Sequence, residues 1–385
     1  MNEITILCKV VDNFGDIGVV YRLARALCDI EPNLNITIIC SDLKSFSAME
    51  PNVNPQKKIQ RIKYKNCEWT ILDWNCTEKE IKNIHLTLPN FKNDFSLILE
   101  CFQCGRPDWL EQILFAPENK KTYRIINIEY LTAEDYAEDF HCLKSGTRSI
   151  FVKKVNFMPG FTPKTGGLII DDAFKNSLQK KQIKPNEFTV TIFSYERNFC
   201  QIFSALKTFE ERHKKENPNF CVKVLAAHGK SLSFVKEAAR KTGGTINVVE
   251  LPFLTQTEWD KILCSADLNF IRGEDSLSRA ALCSTPFVWQ AYIQEQNYQL
   301  VKVEALLSKI KPFIKEKKTQ NALVKLWQDY NTPQAPLCNS DLNTVLERTY
   351  DGTLRSSFGK FSRTLLKNKN MATALLEFIN NFCKE

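Results

Sequence analysis

Long apolar runs are missing from this chain of 385 residues, and no stretch reaches the roughly 18 residues that cross a bilayer. Histidine is scarce: His85, His141, His213 and His228 are the four, and none stands at a metal-ligand spacing. Cys101-Phe-Gln-Cys104 has the spacing of a zinc or redox pair, but no second CxxC completes a structural zinc site. No G-x-G-x-x-G follows the first strand pattern, which argues against a dinucleotide site there. No DxD motif sits at a strand end, and neither zinc-finger spacing nor an aromatic RNP-type strand is present, so no nucleic-acid domain is expected. Low-complexity tracts are absent, as is any repeat beyond the βα unit. The first residues open a strand instead of a charged, apolar signal peptide. The expectation is a cytoplasmic protein with no membrane span.

What is present suits a globular protein. Hydrophobic residues make up 43% and charged residues 25%. At this length one compact core is too small a solution, and two domains are expected. Fourteen cysteines could suggest disulfides, yet Cys8, Cys40, Cys101, Cys221 and Cys264 sit in apolar segments. They are read as buried thiols of a reducing compartment. The net charge of +8 is mild; its runs, such as Lys315-Glu316-Lys317-Lys318, read as solvated faces that help steer an acidic partner.

The periodicity is that of alternating strands and helices. In the first half, strands are predicted at 4–11, 35–40, 58–64, 68–72, 95–102 and 124–130, with helices at 17–29 and 107–116. From Ser145 to Glu187 the pattern fades among Pro159, Gly160, Pro163, Gly166, Gly167 and Pro185, which reads as a connection. Beyond it come strands at 188–195, 220–227, 246–251, 267–272 and 286–292, each followed by a helix. Five such repeats predict a parallel, doubly wound sheet. The economical architecture is α/β, with two Rossmann-like domains facing across a cleft. Its predicted parts are an N-terminal domain over 1–165, a linker over 166–187, a C-terminal domain over 188–360 and a terminal segment over 361–385. The last helices either cover the second sheet or cross back to the first domain.

Chemistry-bearing residues gather at strand ends, where open α/β sheets place their ligands. Asp12-Asn-Phe-Gly-Asp16-Ile-Gly18 follows the first strand and opens a helix. Its two carboxylates have the wrong charge for a phosphate cradle and the right charge for a cationic acceptor. For each, an Asx-turn or a helix cap is the plainer alternative. In the second half, Phe193-Ser-Tyr195, Phe253 with Gln256, and Arg272-Gly-Glu-Asp-Ser276 end three strands on one sheet edge. Phe253 can stack on a base, Arg272 can pair with a diphosphate, and a helix starting near Asp275 and Ser276 presents N–H groups to phosphate oxygens. Taken singly, Phe193 and Phe253 read as core, and Asp275 as a cap. Together they suit a nucleotide-activated donor. No metal is needed if Arg272 and the helix N-termini neutralise the diphosphate.

These blocks resemble the bacterial protein-arginine rhamnosyltransferases of elongation factor P, the EarP family. The resemblance runs through Asp12–Gly18, Arg22-Leu-Ala-Arg25, Glu100–Cys104, Asn127–Glu134 and Pro159–Gly167. It continues in Phe193–Glu196, Arg272–Ser276, Pro286–Trp289 and Gln294-Glu295, in family order; Leu277-Ser278 and Cys283-Ser284-Thr285 depart from the family's forms. It implies a GT-B fold and an inverting, metal-independent transfer of rhamnose from dTDP-β-L-rhamnose, with no separate cofactor, to one arginine of elongation factor P. By the same resemblance Asp16 is the general base, and Asp12 and Glu274 are further essential acids. Asn13, Phe14 and Gly15 form the acceptor-side loop. Phe193, Tyr195, Phe253, Gln256, Arg272, Asp275 and Ser276 hold the donor. Two competing readings stand beside it: a GT-B enzyme with another nucleotide sugar and a lipid or sugar acceptor, and a non-catalytic partner of a translation factor. A nucleotide-sugar oxidoreductase or epimerase is disfavoured by the missing G-x-G-x-x-G.

Overall fold

The computed structural model describes residues 3–11, 14–89, 91, 94–178 and 186–384. The chain divides into two compact units: Met1–Asp172 with Asn368–Glu385, and Ala173–Lys367.

The first unit is built on an eight-stranded sheet. Its strands are β1 (Glu3–Cys8), β2 (Asn35–Cys40), β3 (Ile59–Tyr64), β4 (Cys67–Asp73), β5 (Leu97–Cys101), β6 (Tyr123–Ile128), β7 (Lys144–Ser145) and β8 (Val152–Phe157). They lie in the order β3-β4-β2-β1-β5-β6-β8-β7, parallel except for β3 and β7 at the two edges. Alternating side chains fill both faces. Ile4, Ile6, Ile36 and Ile38 pack under one helical layer, and Leu7, Ile39, Leu72 and Ile98 under the other.

Strand β1 ends three residues earlier than its apolar run. Val10 donates its N–H to Ser41 Oγ at 2.8 Å and Val11 donates to Asp16 Oδ2 at 2.8 Å, so side chains and not a neighbouring strand satisfy this backbone. The helix that follows spans Phe14–Ile30 and buries Ile17, Val20, Leu23, Ala24 and Leu27 at helical spacing.

The segment read as a featureless connection contains β8. Its sequence, Val-Lys-Lys-Val-Asn-Phe, buries Val152, Val155 and Phe157, a spacing that breaks the period of two and conceals a strand. Lys154 is held on it by Glu100, at 3.0 Å. The Gly-rich block after β8 is also structural. Gly167 has φ +76° and a Cβ there would lie 2.3 Å from the carbonyl oxygen of Lys369. That contact belongs to a clasp. Met371 N–H donates to Leu168 O at 2.9 Å, and Asn370 bonds both the N–H and the carbonyl of Ile170, at 3.1 and 2.8 Å. Residues 166–172 are therefore part of the first unit, where a linker over 166–187 was expected; residues 179–185 of that span lie outside the described residues. Asp171 completes the seam: it is 1% exposed and pairs with Arg25 at 2.8 Å and with Arg22 at 3.9 Å.

The clasp returns the chain for its last helix, Met371–Phe382, which packs beside the helix Phe14–Ile30. It buries Leu375, Leu376, Ile379 and Phe382, each contributing on the order of 2 kcal/mol. Arg124 donates to its final carbonyls, Phe382 O at 3.0 Å and Cys383 O at 3.2 Å. The helix Thr353–Lys367, whose end falls inside the expected terminal segment 361–385, stays with the second unit.

The second unit holds β9 (Glu187–Phe193), β10 (Cys221–Ala226), β11 (Asn247–Glu250), β12 (Leu268–Arg272) and β13 (Phe287–Gln290). They form an all-parallel sheet in the order β11-β10-β9-β12-β13. The helices Lys317–Asn331, Asn339–Tyr350 and Thr353–Lys367 cover it, with Trp327 and Phe358 against Phe287 at 5.4 and 5.2 Å between centroids. Two cysteines differ from the expectation of buried thiols. Cys221 is exposed because it opens β10 at the sheet's rim, and Cys264 pairs with Cys283 as a disulfide, their Cα atoms 5.4 Å apart.

Among the described residues, no helix is long and apolar enough to cross a membrane.

Candidate active site

In the first unit the predicted acids are Asp12 and Asp16, on the segment that follows β1. Asp12 and Asn13 lie outside the described residues. Phe14 and Gly15 are exposed and begin the helix, and Asp16 sits in its first turn with only 4% of its surface accessible. Its Oδ2 accepts the Val11 N–H at 2.8 Å and its Oδ1 accepts the Tyr130 hydroxyl at 3.2 Å. Charge-assisted bonds of this kind fix a carboxylate in one orientation.

Tyr130 is in turn placed by the loop after β5. Its ring stacks on Phe102, centroids 4.4 Å apart and planes 16° from parallel. Phe102 and Gln103 both hold left-handed backbone, at φ +61° and +50°, which non-glycine residues rarely adopt. Bonds to the next strand keep them there: Phe102 N–H donates to Ile128 O at 2.7 Å and Gln103 N–H to Asn127 Oδ1 at 3.2 Å. Asn127 and Gln103 each donate to Glu129 Oε1 at 2.5 Å. The blocks Glu100–Cys104 and Asn127–Glu134 thus act as one braced edge.

The sulfur atoms beneath this edge are not activated. A hydrogen bond with Cys40 and burial raise the Cys8 thiol well above its usual range, and burial does the same to Cys101. Cys104 is pushed up to about 11, chiefly by burial. Thiols in this state are poor nucleophiles.

In the second unit, β9 and β12 bring three predicted residues into contact. The Arg272 guanidinium carbon lies 4.7 Å from the ring centroid of Phe193 and 4.7 Å from that of Tyr195. Such cation–π contacts orient the guanidinium. Tyr195 is itself held: its N–H donates to Gln290 Oε1 at 2.9 Å, and Tyr292 packs edge-on at 5.7 Å. Lys230 stands over the same ring at 5.8 Å, which adds a second cation.

Gly273, with φ +74°, turns the chain from β12 into the helix Glu274–Leu282. That turn puts Glu274, Asp275 and Ser276 in the first turn, whose N–H groups have no partner within the helix. The helix Gln256–Ser265 begins on a capping box of Thr255 and Glu258. Gln256 is its first residue, and Phe253, 47% exposed, precedes it. The same helix presents Trp259, which packs edge-on against Phe193 at 5.3 Å and donates its indole N–H to Ser276 Oγ at 3.1 Å.

Sequence reasoning did not single out Tyr130, Lys230, Trp259, Gln290 or Tyr292. Trp259 carried a usable signal, since it lies one helical turn beyond Gln256. Tyr130 carried none of its own, because its partner is 114 residues away.

A sequence profile described as "Elongation-Factor P (EF-P) rhamnosyltransferase EarP" matches residues 4–380. A protein-arginine rhamnosyltransferase of Shewanella oneidensis is 31% identical over 86% of this chain and 90% of its own length. One of Pseudomonas putida is 29% identical over 85% of this chain and 86% of its own. Among solved structures, one described as the structural basis for EarP-mediated arginine glycosylation of translation elongation factor EF-P is similar with a TM-score of 0.59. It shares 19% identity over 99% of both chains. The spinosyn rhamnosyltransferase SpnG is similar with a TM-score of 0.52 and 10% identity, over 98% of this chain and 100% of that one. These likenesses show the GT-B fold.

Proposed function

The chain belongs to the family of elongation-factor-P rhamnosyltransferases, glycosyltransferases named for protein arginine, and on that premise we propose a specific reaction. The enzyme moves rhamnose from dTDP-β-L-rhamnose to one arginine side chain of elongation factor P, with inversion. A translation factor as acceptor makes the cytoplasm the place of reaction.

The observation that carries this reading is Asp16, a carboxylate buried in the first turn of the helix after β1 with a donor on each oxygen. A guanidinium keeps its proton up to a pKa above about 12 and is a poor nucleophile in water. A fixed carboxylate can take one N–H proton as the nitrogen attacks. In that step the nitrogen forms its bond to the anomeric carbon, the bond from that carbon to the phosphate oxygen breaks, and dTDP leaves. The acceptor proton passes to Asp16. Asp12 and Glu274 are the further acids in this reading; carboxylates can grip guanidinium N–H groups and offset the positive charge of an oxocarbenium-like transition state. Direct displacement inverts the anomeric centre.

The second unit supplies the donor site. Arg272, braced by Phe193 and Tyr195, pairs with the diphosphate, and the first-turn N–H groups at Asp275 and Ser276 add to it. Phe253 stacks on the base, and Gln256 offers an amide beside it. No metal is required for this assignment of charges, because Arg272 and the helix N-terminus neutralise the leaving group.

The test is the intact mass of elongation factor P after incubation with enzyme and dTDP-β-L-rhamnose. A gain of one rhamnosyl unit, lost when the acceptor arginine is replaced, is the expected result. No gain, in the presence of demonstrated binding of the factor, would favour a non-catalytic partner. Transfer to a lipid or sugar instead would overturn the acceptor assignment.

A further inference from the structure

Two residues after β6 ends, Tyr130 leaves 41% of its surface in solvent and still commits its hydroxyl to Asp16 Oδ1 at 3.2 Å. An exposed phenol can satisfy its hydroxyl with water at no cost, so folding alone does not demand this bond. The support around it is also more than an exposed tyrosine requires. One ring face is covered by Phe102 at 4.4 Å, and Phe102 is kept at φ +61°, a backbone state costing about 1 kcal/mol or more for a bulky residue. Bonds from Phe102 N–H to Ile128 O and from Gln103 N–H to Asn127 Oδ1 hold that loop against β6.

We propose that Tyr130 is a positioning residue for Asp16, with Phe102 as its brace. Val11 fixes Oδ2 from the chain on one side, and Tyr130 fixes Oδ1 from a strand end 114 residues away. The terminal torsion of an aspartate is otherwise soft, and one donor alone leaves the carboxylate plane free to turn. With both in place the plane is set. Tyr130 donates its hydrogen bond throughout and exchanges no proton with the acceptor. The role is geometric: misplacing a reacting group by about 1 Å can cost on the order of a hundredfold in rate.

This inference rests on Asp16 as the base, and its test separates the two. Tyr130→Phe removes the hydroxyl and keeps the ring on Phe102. The expected result is a kcat lower by about ten- to a hundredfold, with unchanged KM for both donor and acceptor and an unchanged melting temperature. Tyr130→Ala, which also removes the stack, should lose at least as much. Phe102→Leu, which weakens the brace but leaves the hydroxyl, should lower kcat less than Tyr130→Phe does. Full kcat in Tyr130→Phe, with Asp16→Asn inactive, would overturn the positioning role and leave the base intact. Raised acceptor KM at full kcat would also overturn it, by making Tyr130 a binding contact. Full turnover in Asp16→Asn would overturn the base assignment and, with it, this role.

Discussion

The indole N–H of Trp259 donates to Ser276 Oγ at 3.1 Å, and so ties the helix Gln256–Ser265 to the first turn of the helix Glu274–Leu282. Ser276 is 6% exposed, so its hydroxyl depends on this donor more than a surface serine would. Trp259 also supports Phe193, which lies under Arg272. One side chain thus connects the helix Gln256–Ser265, the first turn of the helix Glu274–Leu282 and the ring under Arg272.

Trp259→Phe should accordingly weaken dTDP binding while leaving the fold intact. A lost neutral hydrogen bond is worth about 1 kcal/mol, roughly a fivefold loss of affinity, measurable by calorimetry. An unchanged dissociation constant would show that the two helix starts are placed independently.

Phe253→Ala and Arg272→Lys should separate the two halves of the donor. Phe253 is 47% exposed, so its truncation should leave the melting temperature unchanged and weaken binding of thymidine and of dTDP alike, by roughly tenfold. Arg272→Lys keeps the charge but loses the planar fork that stacks on Phe193 and Tyr195. It should weaken dTDP and leave thymidine unaffected. Equal losses for both ligands in both variants would contradict the assignment.

Asp16→Asn should abolish transfer and spare donor affinity, because the substituted amide keeps the shape and cannot accept the proton. Single-turnover mass spectrometry and calorimetry on the same preparation read the two quantities. Loss of dTDP binding in this variant would move Asp16 from the chemistry to the donor site.

Gly167→Ala should destabilise the first unit without touching the acids. The added Cβ would meet Lys369 O at 2.3 Å on a backbone at φ +76°, and both penalties act on the clasp that returns the last helix. A cost of about 2 kcal/mol or more is expected, equivalent to a melting point lower by roughly 4–8 °C. Proteolysis should then release the segment around Met371–Phe382 first. An unshifted melting curve would mean that the clasp contributes little to holding the last helix.

Much of this protein was legible in its sequence because the signals are local. Alternating apolar strands and amphipathic helices follow from residues a few positions apart, and so does the gathering of acids, aromatics and an arginine at strand ends. Phe193 and Arg272 end β9 and β12, so their nearness on one sheet edge was legible for the same reason. Strand β8 escaped because Val152, Val155 and Phe157 do not keep a period of two, and its two lysines look like a solvated loop until Lys154 meets Glu100.

Tertiary structure alone decided what holds the turn from Val11 to Asp16 in place. Nothing near Asp16 in the chain announces Tyr130, and nothing near Gly167 announces Lys369; both pairings arise from the order in which the sheet places its strands and from the return of the last helix. The sequence by itself determined which groups could do the chemistry, because side-chain identity is local. The carboxylate is also held by Tyr130, from a strand end 114 residues away, and only the folded sheet brings that hydroxyl to it.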